Sequence, residues 1–309
     1  MLRRNDFRLC RRSGAETSLQ SRSTTRKRGI MMLSTHTTFQ RRTRAGTLAK
    51  SAFAAFFSFV AAPATAHQTF LLPGEFAWDS GEAVTVDLTS ALSFPDLEHG
   101  PSQDRIAYSQ ATVGGEPVSA LSFNEGETAL QIGFGSSGTG FAIVAASSKP
   151  RAGQILPEDV DVYLDEIEAA PSVRAAFDAL PGSPPLDRSY SKHAKTFFCI
   201  KTCDNADGAT TPAGQKLEFV ASGSHARTFV LLLDGEPLAG KAVTIVPVEG
   251  ETEKTVSGEN GTVTISPSLS GVAMLSAVWI TLPENADGVF HSDYATLTID
   301  LDQRPSGSE

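Results

Sequence analysis

The order of apolar and polar residues changes along the chain, and each change predicts a different kind of structure. A basic, polar start gives way to an apolar run of 12 residues at 51–62. From 67 to 148 apolar and polar residues alternate in short segments, as at 83–88, which is typical of β-strands. Residues 157–180 instead repeat apolar side chains at helical spacing, which predicts a short helical insertion.

The pattern returns to strands after a turn-rich stretch at 206–215. Six segments rich in β-branched residues follow, separated by turn signals such as Asp234-Gly235 and Asn260-Gly261. This spacing favours an immunoglobulin-like sandwich. We therefore predict an all-β protein with two immunoglobulin-like β-sandwich domains, at 67–205 and 216–303, the first carrying the helical insertion.

Residues 1–66 are predicted to be an N-terminal extension and a signal peptide. Basic residues including Arg41, Arg42 and Lys50 precede the apolar run, and Ala64-Thr65-Ala66 provides an A-x-A cleavage site. As a helix, the run would rise about 18 Å, which is short of a hydrocarbon core of roughly 30 Å. We expect export to the periplasm, cleavage before His67, and no transmembrane segment in the mature chain.

Removal of the predicted leader makes the net charge of the remaining chain more negative. The leader holds 13 of the 26 basic residues but only 2 of the 35 acidic ones, so the mature chain carries 13 against 33 and a net charge of −20. This excess argues against nucleic acid or anionic lipid as a partner. It suits a soluble protein that attracts cations.

Two cysteines remain in the mature chain. Cys199 and Cys203 are separated by three residues at the end of a predicted strand. In an oxidising compartment such a pair predicts a disulfide, and ligation of a soft metal by the two thiolates is the alternative.

The histidines are the candidate metal ligands. Cleavage before His67 would give this residue a free α-amine, so that amine and imidazole can chelate one ion, and a second histidine would complete a set suited to Cu(II) or Ni(II). Candidates for that second ligand are His193, His99 and His291, in order of preference. His99 follows two carboxylates in the segment FPDLEHG, and His291 is expected just before the last strand. His225, in a Ser/Gly turn, is a weaker candidate.

Motifs for catalysis are missing from the sequence. It has no H-E-x-x-H, no G-x-S-x-G and no glycine-rich phosphate loop. We therefore predict that the protein is not an enzyme. The aromatic residues Phe70, Phe76, Trp78 and Phe94 are expected to fill a core.

Three segments carry a family resemblance. The mature start HQTFLLP, the segment YSKHAK at 190–195, and DGEPLAGKAVTIVP at 234–247 resemble a family of secreted bacterial proteins of unknown function. Members are often described as a periplasmic component of cobalt/nickel uptake systems. The third segment is similar to a carboxypeptidase-regulatory or transthyretin-like module at the C-terminal end of the family.

The resemblance and the histidines together predict a periplasmic metal-binding protein. It would bind nickel, cobalt or copper for uptake or delivery, with a membrane metal transporter component as a partner. The first alternative is a non-catalytic interaction or structural module of the cell envelope. A second is a copper-dependent redox enzyme built on an N-terminal histidine.

Overall fold

The computed structural model describes residues 67–204, 206–223, 227–285 and 288–303. They are mostly β-structure in three sheets with a short helical insertion, and all fall within one compact unit. The predicted leader at 1–66 and the candidate ligand His225 lie outside the described residues.

A four-stranded antiparallel sheet forms from the first part of the described chain. Its strands are β1 (Gln68–Pro73), β3 (Ala83–Ala91), β6 (Ser122–Glu125) and β7 (Leu130–Gly135), in the order β1-β3-β7-β6. The alternation predicted at 83–88 is confirmed, because Val84, Val86 and Leu88 are buried and share one face of β3.

A ten-stranded sheet holds the largest part of the structure. Its members are β2 (Ala77–Trp78), β4 (Ile106–Val113), β5 (Glu116–Pro117), β8 (Gly140–Ser148), β9 (Arg151–Ile155), β10 (Leu186–Ile200), β14 (Ala242–Pro247), β15 (Glu253–Val256), β17 (Val272–Thr281) and β18 (Phe290–Asp300). The order is β15-β14-β17-β18-β10-β8-β4-β5, and β2 and β9 pair with β10. The long strands β10 and β18 run parallel.

The third sheet comes from the C-terminal half. It contains β11 (Leu217–Ala221), β12 (Thr228–Leu233), β13 (Glu236–Pro237) and β16 (Thr262–Thr264), with β13 and β16 pairing with β12. The predicted Asp234-Gly235 turn connects β12 to β13. Both residues have positive φ, 53° and 81°, as the two-residue turn of a tight hairpin requires, and Asp-Gly adopts this conformation readily.

Two hydrophobic cores share strand β10 of the ten-stranded sheet. One core contains Val86 of the first sheet together with Phe198 of β10. The other contains Phe219 of the third sheet together with Phe197, the neighbour of Phe198 on β10. Successive side chains of a strand point to opposite faces, so β10 contributes to both cores.

The helical insertion is confirmed. A 3-10 turn at Pro157–Asp159 leads into α1 (Val160–Glu166), and α2 (Pro171–Asp178) follows. The predicted apolar face of α1 is buried against Leu186, Ile280 and Phe290. Two further 3-10 turns lie at Gln103–Arg105 and Ala206–Thr210. Among the described residues, no helix has the length and apolar character needed to cross a bilayer.

Strands from both predicted domains share the ten-stranded sheet, because β10 pairs with β18 over nine residues. The division into two domains and their immunoglobulin-like topology stay predictions. One detail was wrong: His291 lies inside β18, not before it. The polar segment His291-Ser292-Asp293 carries no strand pattern by itself, and its pairing with β10 makes it a strand.

Candidate metal centre

Three potential metal ligands meet at the start of β1. The Nε2 atom of His67 lies 3.8 Å from Oε2 of Glu98, and the imidazole centroids of His67 and His99 are 5.6 Å apart. One ligand atom of each residue lies within 4.8 Å of the other two. Donor atoms that share one metal ion are about 3.0–3.4 Å apart, so small side-chain rotations would close the group. We call these three residues the His67 cluster.

Strand pairing explains why the cluster forms. In the antiparallel pair β1–β3, Gln68 lies opposite Ala91, so the start of β1 lies beside the loop that follows β3. That loop turns back, and His99 forms a two-way backbone bridge with Ser90, with N···O distances of 2.9 and 3.2 Å. Residues 32 positions apart in the sequence are thereby brought together.

The loop that carries Glu98 and His99 is fixed at several points. The ring of Phe94 packs edge-on against Phe70, at 5.1 Å between centroids. The backbone N–H of Leu92 donates to Oε2 of Glu98 at 3.2 Å. Gly100 fits closely against the next turn, since a Cβ atom there would lie 2.6 Å from the carbonyl carbon of Ala129. The position of His99 is therefore set by packing as well as by hydrogen bonds.

Lys192 on β10 holds the other side of the cluster. Its Nζ atom donates to the carbonyl oxygen of His67 at 2.6 Å. Burial, followed by the charges of Arg188 and Arg151, lowers the pKa of Lys192 to about 8. The backbone of His67 is thus tied to the centre of the large sheet by a lysine with cationic neighbours.

A pocket of about 700 Å³ opens beside the cluster and is lined by His67, His99 and Lys192. The cations Arg105 and Arg151 lie in its wall, and none of the described residues that line it is acidic. Within the described ranges, none of the three cations has a carboxylate within 4.0 Å. The pocket is therefore a positively charged space next to potential metal ligands.

His193 and His291 belong to a separate cluster around Asp293. Their Nε2 atoms lie 3.1 and 3.3 Å from the same carboxylate oxygen, Oδ1 of Asp293. Their Nδ1 atoms lie 3.0 Å from Ser147 Oγ and 2.6 Å from Ser189 Oγ, respectively. Asp293 and His193 are buried. Both nitrogens of each ring are engaged in these contacts, so the cluster is a hydrogen-bonded group that reaches from the interior to His291, whose side chain is 30% exposed.

Arg188 lies among tyrosine side chains. Its guanidinium carbon is 4.8 Å from the ring centroid of Tyr190 and 5.1 Å from that of Tyr163, and its Nη1 donates to the hydroxyl of Tyr294 at 2.9 Å. Burial raises the pKa of Tyr294, and the neighbouring Tyr163 acts in the same direction. Aromatic faces stabilise a cation, so the tyrosine rings offset part of the repulsion between Arg188 and the nearby Lys192.

Cys199 and Cys203 are joined by a disulfide. It closes the turn that follows β10. The thiols are therefore engaged with each other in this structure, and the sequence-based alternative of thiolate metal ligation does not apply to this form.

The structure brings some predicted ligands together and separates others. His67 and His99 lie close together with Glu98. His193, which was the preferred second ligand, lies with His291 around Asp293. Whether any of them binds metal stays a prediction. The sequence indicated Glu98 as a possible ligand because this carboxylate lies next to His99 in the chain. It gave no reason to single out Arg151 or Lys192, whose common location depends on how β9 and β10 pair.

Together these features describe a mostly β protein with an exposed His/His/carboxylate cluster beside a basic pocket. Residues 64–281 match the model of a family described as a domain of unknown function (DUF4198). Because the match spans more than half of the chain, the protein belongs to this family. The chain matches no curated protein.

Proposed function

We propose that the mature protein binds a divalent transition metal ion in the periplasm, with His67, His99 and Glu98 as ligands. The observation that carries this proposal is the meeting of these three side chains, each with a ligand atom within 4.8 Å of the others. The net charge of −20 in the mature chain supports it, since such a chain attracts cations. The binding would serve uptake or delivery of the metal.

The ligand types limit the choice of metal. Two imidazoles and one carboxylate suit nickel, cobalt, copper and zinc better than the hard ions calcium and magnesium, which prefer oxygen ligands throughout. Affinity for such a set rises from cobalt to nickel to copper. We expect this order in vitro, with nickel or cobalt as the physiological ion, in line with the family resemblance.

Cleavage before His67 would add a fourth donor. The free α-amine would belong to the same residue as the imidazole, and the two can chelate one ion. The carbonyl of His67 is already held by Lys192, so the residue would be partly fixed before the metal arrives. Preorganised ligands lose less conformational entropy on binding.

Isothermal titration with Ni(II), Co(II) and Cu(II) tests the proposal. The protein should be exported and processed by a bacterial host, so that the chain starts at His67. We expect His99→Ala and Glu98→Gln to weaken binding by about 100-fold or more, because loss of even an outer-shell partner of a ligand commonly weakens metal affinity 10- to 100-fold.

Two matched variants serve as controls. His291→Ala removes a histidine outside the His67 cluster, and Glu116→Gln removes an exposed carboxylate on β5; both should keep the affinity of the wild type. Equal affinity in His99→Ala, Glu98→Gln and the wild type would exclude the site. A preparation with methionine before His67 tests the amine separately, since it retains the imidazole but blocks the α-amine.

The proposal also covers the domain organisation of the protein and its partner. We infer two β-sandwich halves, the second a transthyretin-like module that would contact a membrane transporter component. Co-purification of the exported protein with its envelope partners, in the presence and absence of metal, tests this contact. If the same envelope proteins co-purify with and without metal, and the purified protein contains no metal, the non-catalytic interaction module would be favoured instead.

A further inference from the structure

The pocket beside the His67 cluster has a charge opposite to that of the whole molecule. Arg105, Arg151 and Lys192 face a space that no carboxylate of the described residues lines, although acidic residues outnumber basic ones by 33 to 13 in the mature chain. Grouped cations without counter-charges repel each other. An arrangement of this kind is stabilised when an anion binds among them.

The donors of the pocket lie on several elements. Arg151 begins β9 and is paired in register with Tyr190 of β10, Lys192 lies two residues further along β10, and Arg105 ends the 3-10 turn before β4. Arg105 also donates from Nη2 to the carbonyl of Lys149 at 3.2 Å, which limits its movement. The three cations thus lie on three different elements, two of which are the paired strands β9 and β10.

The size of the pocket indicates more than a single ion. Its volume of about 700 Å³ lies within the range of small-molecule sites, about 300–1,000 Å³. His67 and His99 line the same space, so a molecule bound to the cations can reach a metal held by the His67 cluster. Guanidinium groups bind carboxylates in a planar, two-pronged geometry.

We propose that this pocket binds a small polycarboxylate, so that the metal ion is captured together with an anionic chelator. The carboxylates would pair with Arg105, Arg151 and Lys192, and one carboxylate oxygen would occupy a coordination position that the protein leaves open. The proposal rests on the proposed metal-binding function, since it names the form in which the metal is bound. It also explains why a cation-binding protein has a basic pocket beside its ligands.

Equilibrium dialysis with radiolabelled citrate tests this inference on the processed protein at about 0.15 M salt, an ionic strength that screens weak surface attraction. Citrate should bind to metal-free protein, and Ni(II) should increase its affinity about tenfold or more. Arg151→Gln should lower citrate affinity about tenfold, as expected for loss of a charged hydrogen bond. The control Arg174→Gln removes an arginine that is paired with Asp165 on the helical insertion and should change nothing.

The variants separate this inference from the proposed function. Glu98→Gln removes a proposed metal ligand that does not line the pocket, so it should abolish the increase caused by Ni(II) but leave metal-free citrate binding intact. If Ni(II) neither binds the protein, with or without citrate, nor changes citrate affinity, while Arg151-dependent citrate binding is present, the proposed function fails and the anion pocket stands. Citrate affinity that is equal in Arg151→Gln and wild type would overturn the inference. If pyrophosphate displaces citrate as strongly as tricarballylate does, the assignment of the pocket to carboxylates would be overturned.

Discussion

Replacement of Lys195 by methionine would leave Glu218 as a buried carboxylate without its counter-charge. Both side chains are at most 2% exposed, and the Lys195 ammonium donates to Glu218 and to the carbonyl of Phe219. Glu218 also accepts hydrogen bonds from the backbone N–H groups of Ala213 and Gly214, at 2.8 and 3.1 Å. The pair therefore connects β10 to β11 and to the turn before it.

The expected loss follows from this burial. Removal of one partner of a buried ion pair costs about 3–5 kcal/mol, because the remaining charge stays in a medium of low polarity. For a folded unit of this size, about 1 kcal/mol corresponds to 2–4 °C in Tm, so Lys195→Met should lower Tm by roughly 6–20 °C. Methionine retains most of the apolar stem, so the loss reports mainly the charge.

Thermal and urea unfolding followed by circular dichroism measure the effect. The control Lys216→Met removes an exposed partner of Asp234, whose side chain is 60% exposed, and should change stability by less than about 1 kcal/mol. The double variant Lys195→Met/Glu218→Gln should recover part of the loss, because it removes the buried charge. The amide oxygen can still accept from one of the two backbone N–H groups, which donate to different oxygens of Glu218. A double variant no more stable than Lys195→Met would refute the reasoning and assign the loss to packing.

Two further variants test the surroundings of the candidate centre and the helical insertion. Gly100→Ala should destabilise the protein by about 1–3 kcal/mol through overpacking against Ala129, and should weaken metal binding because His99 shifts; unfolding and titration measure both effects. Burial lowers the pKa of Lys241 to about 8, below the usual lysine value of about 10.4. The unfolded state therefore binds more protons between these values, and stability should rise with pH across this window. Lys241→Met should flatten that rise in urea unfolding, and an unchanged pH profile would contradict the assignment.

The elements that the sequence predicted correctly are those with a repeating apolar pattern. The strand around 83–88 and the apolar face of α1 follow from spacing alone, because burial of one face requires that spacing. The short strands β5 and β13 have two exposed residues each. They exist because a neighbouring strand offers hydrogen-bond partners, and their own residues carry no strand pattern.

The site shows the same division between local and long-range information. The sequence identified His67 from its place after the cleavage site, and Glu98 and His99 from their common segment. It could not identify His99 as the neighbour of His67, since that depends on the register in which β1 pairs with β3. His193 was the preferred partner because it lies in a family-like segment, but β10 buries its ring beside Asp293. The resemblance of a short segment to a family does not predict which way a side chain in it points.

Under the proposed function, cleavage before His67 links processing of the chain to metal binding. Lys192 holds the carbonyl oxygen of His67, so the position of this residue is fixed from its C-terminal side. In the proposed site, a chain that begins at His67 offers its α-amine and its imidazole from one residue. A chain that begins one residue earlier would have a peptide nitrogen at His67 in place of that amine, and its free amine would lie about 3.8 Å further along. The cleavage position therefore decides which nitrogen atoms the N-terminus offers to the metal.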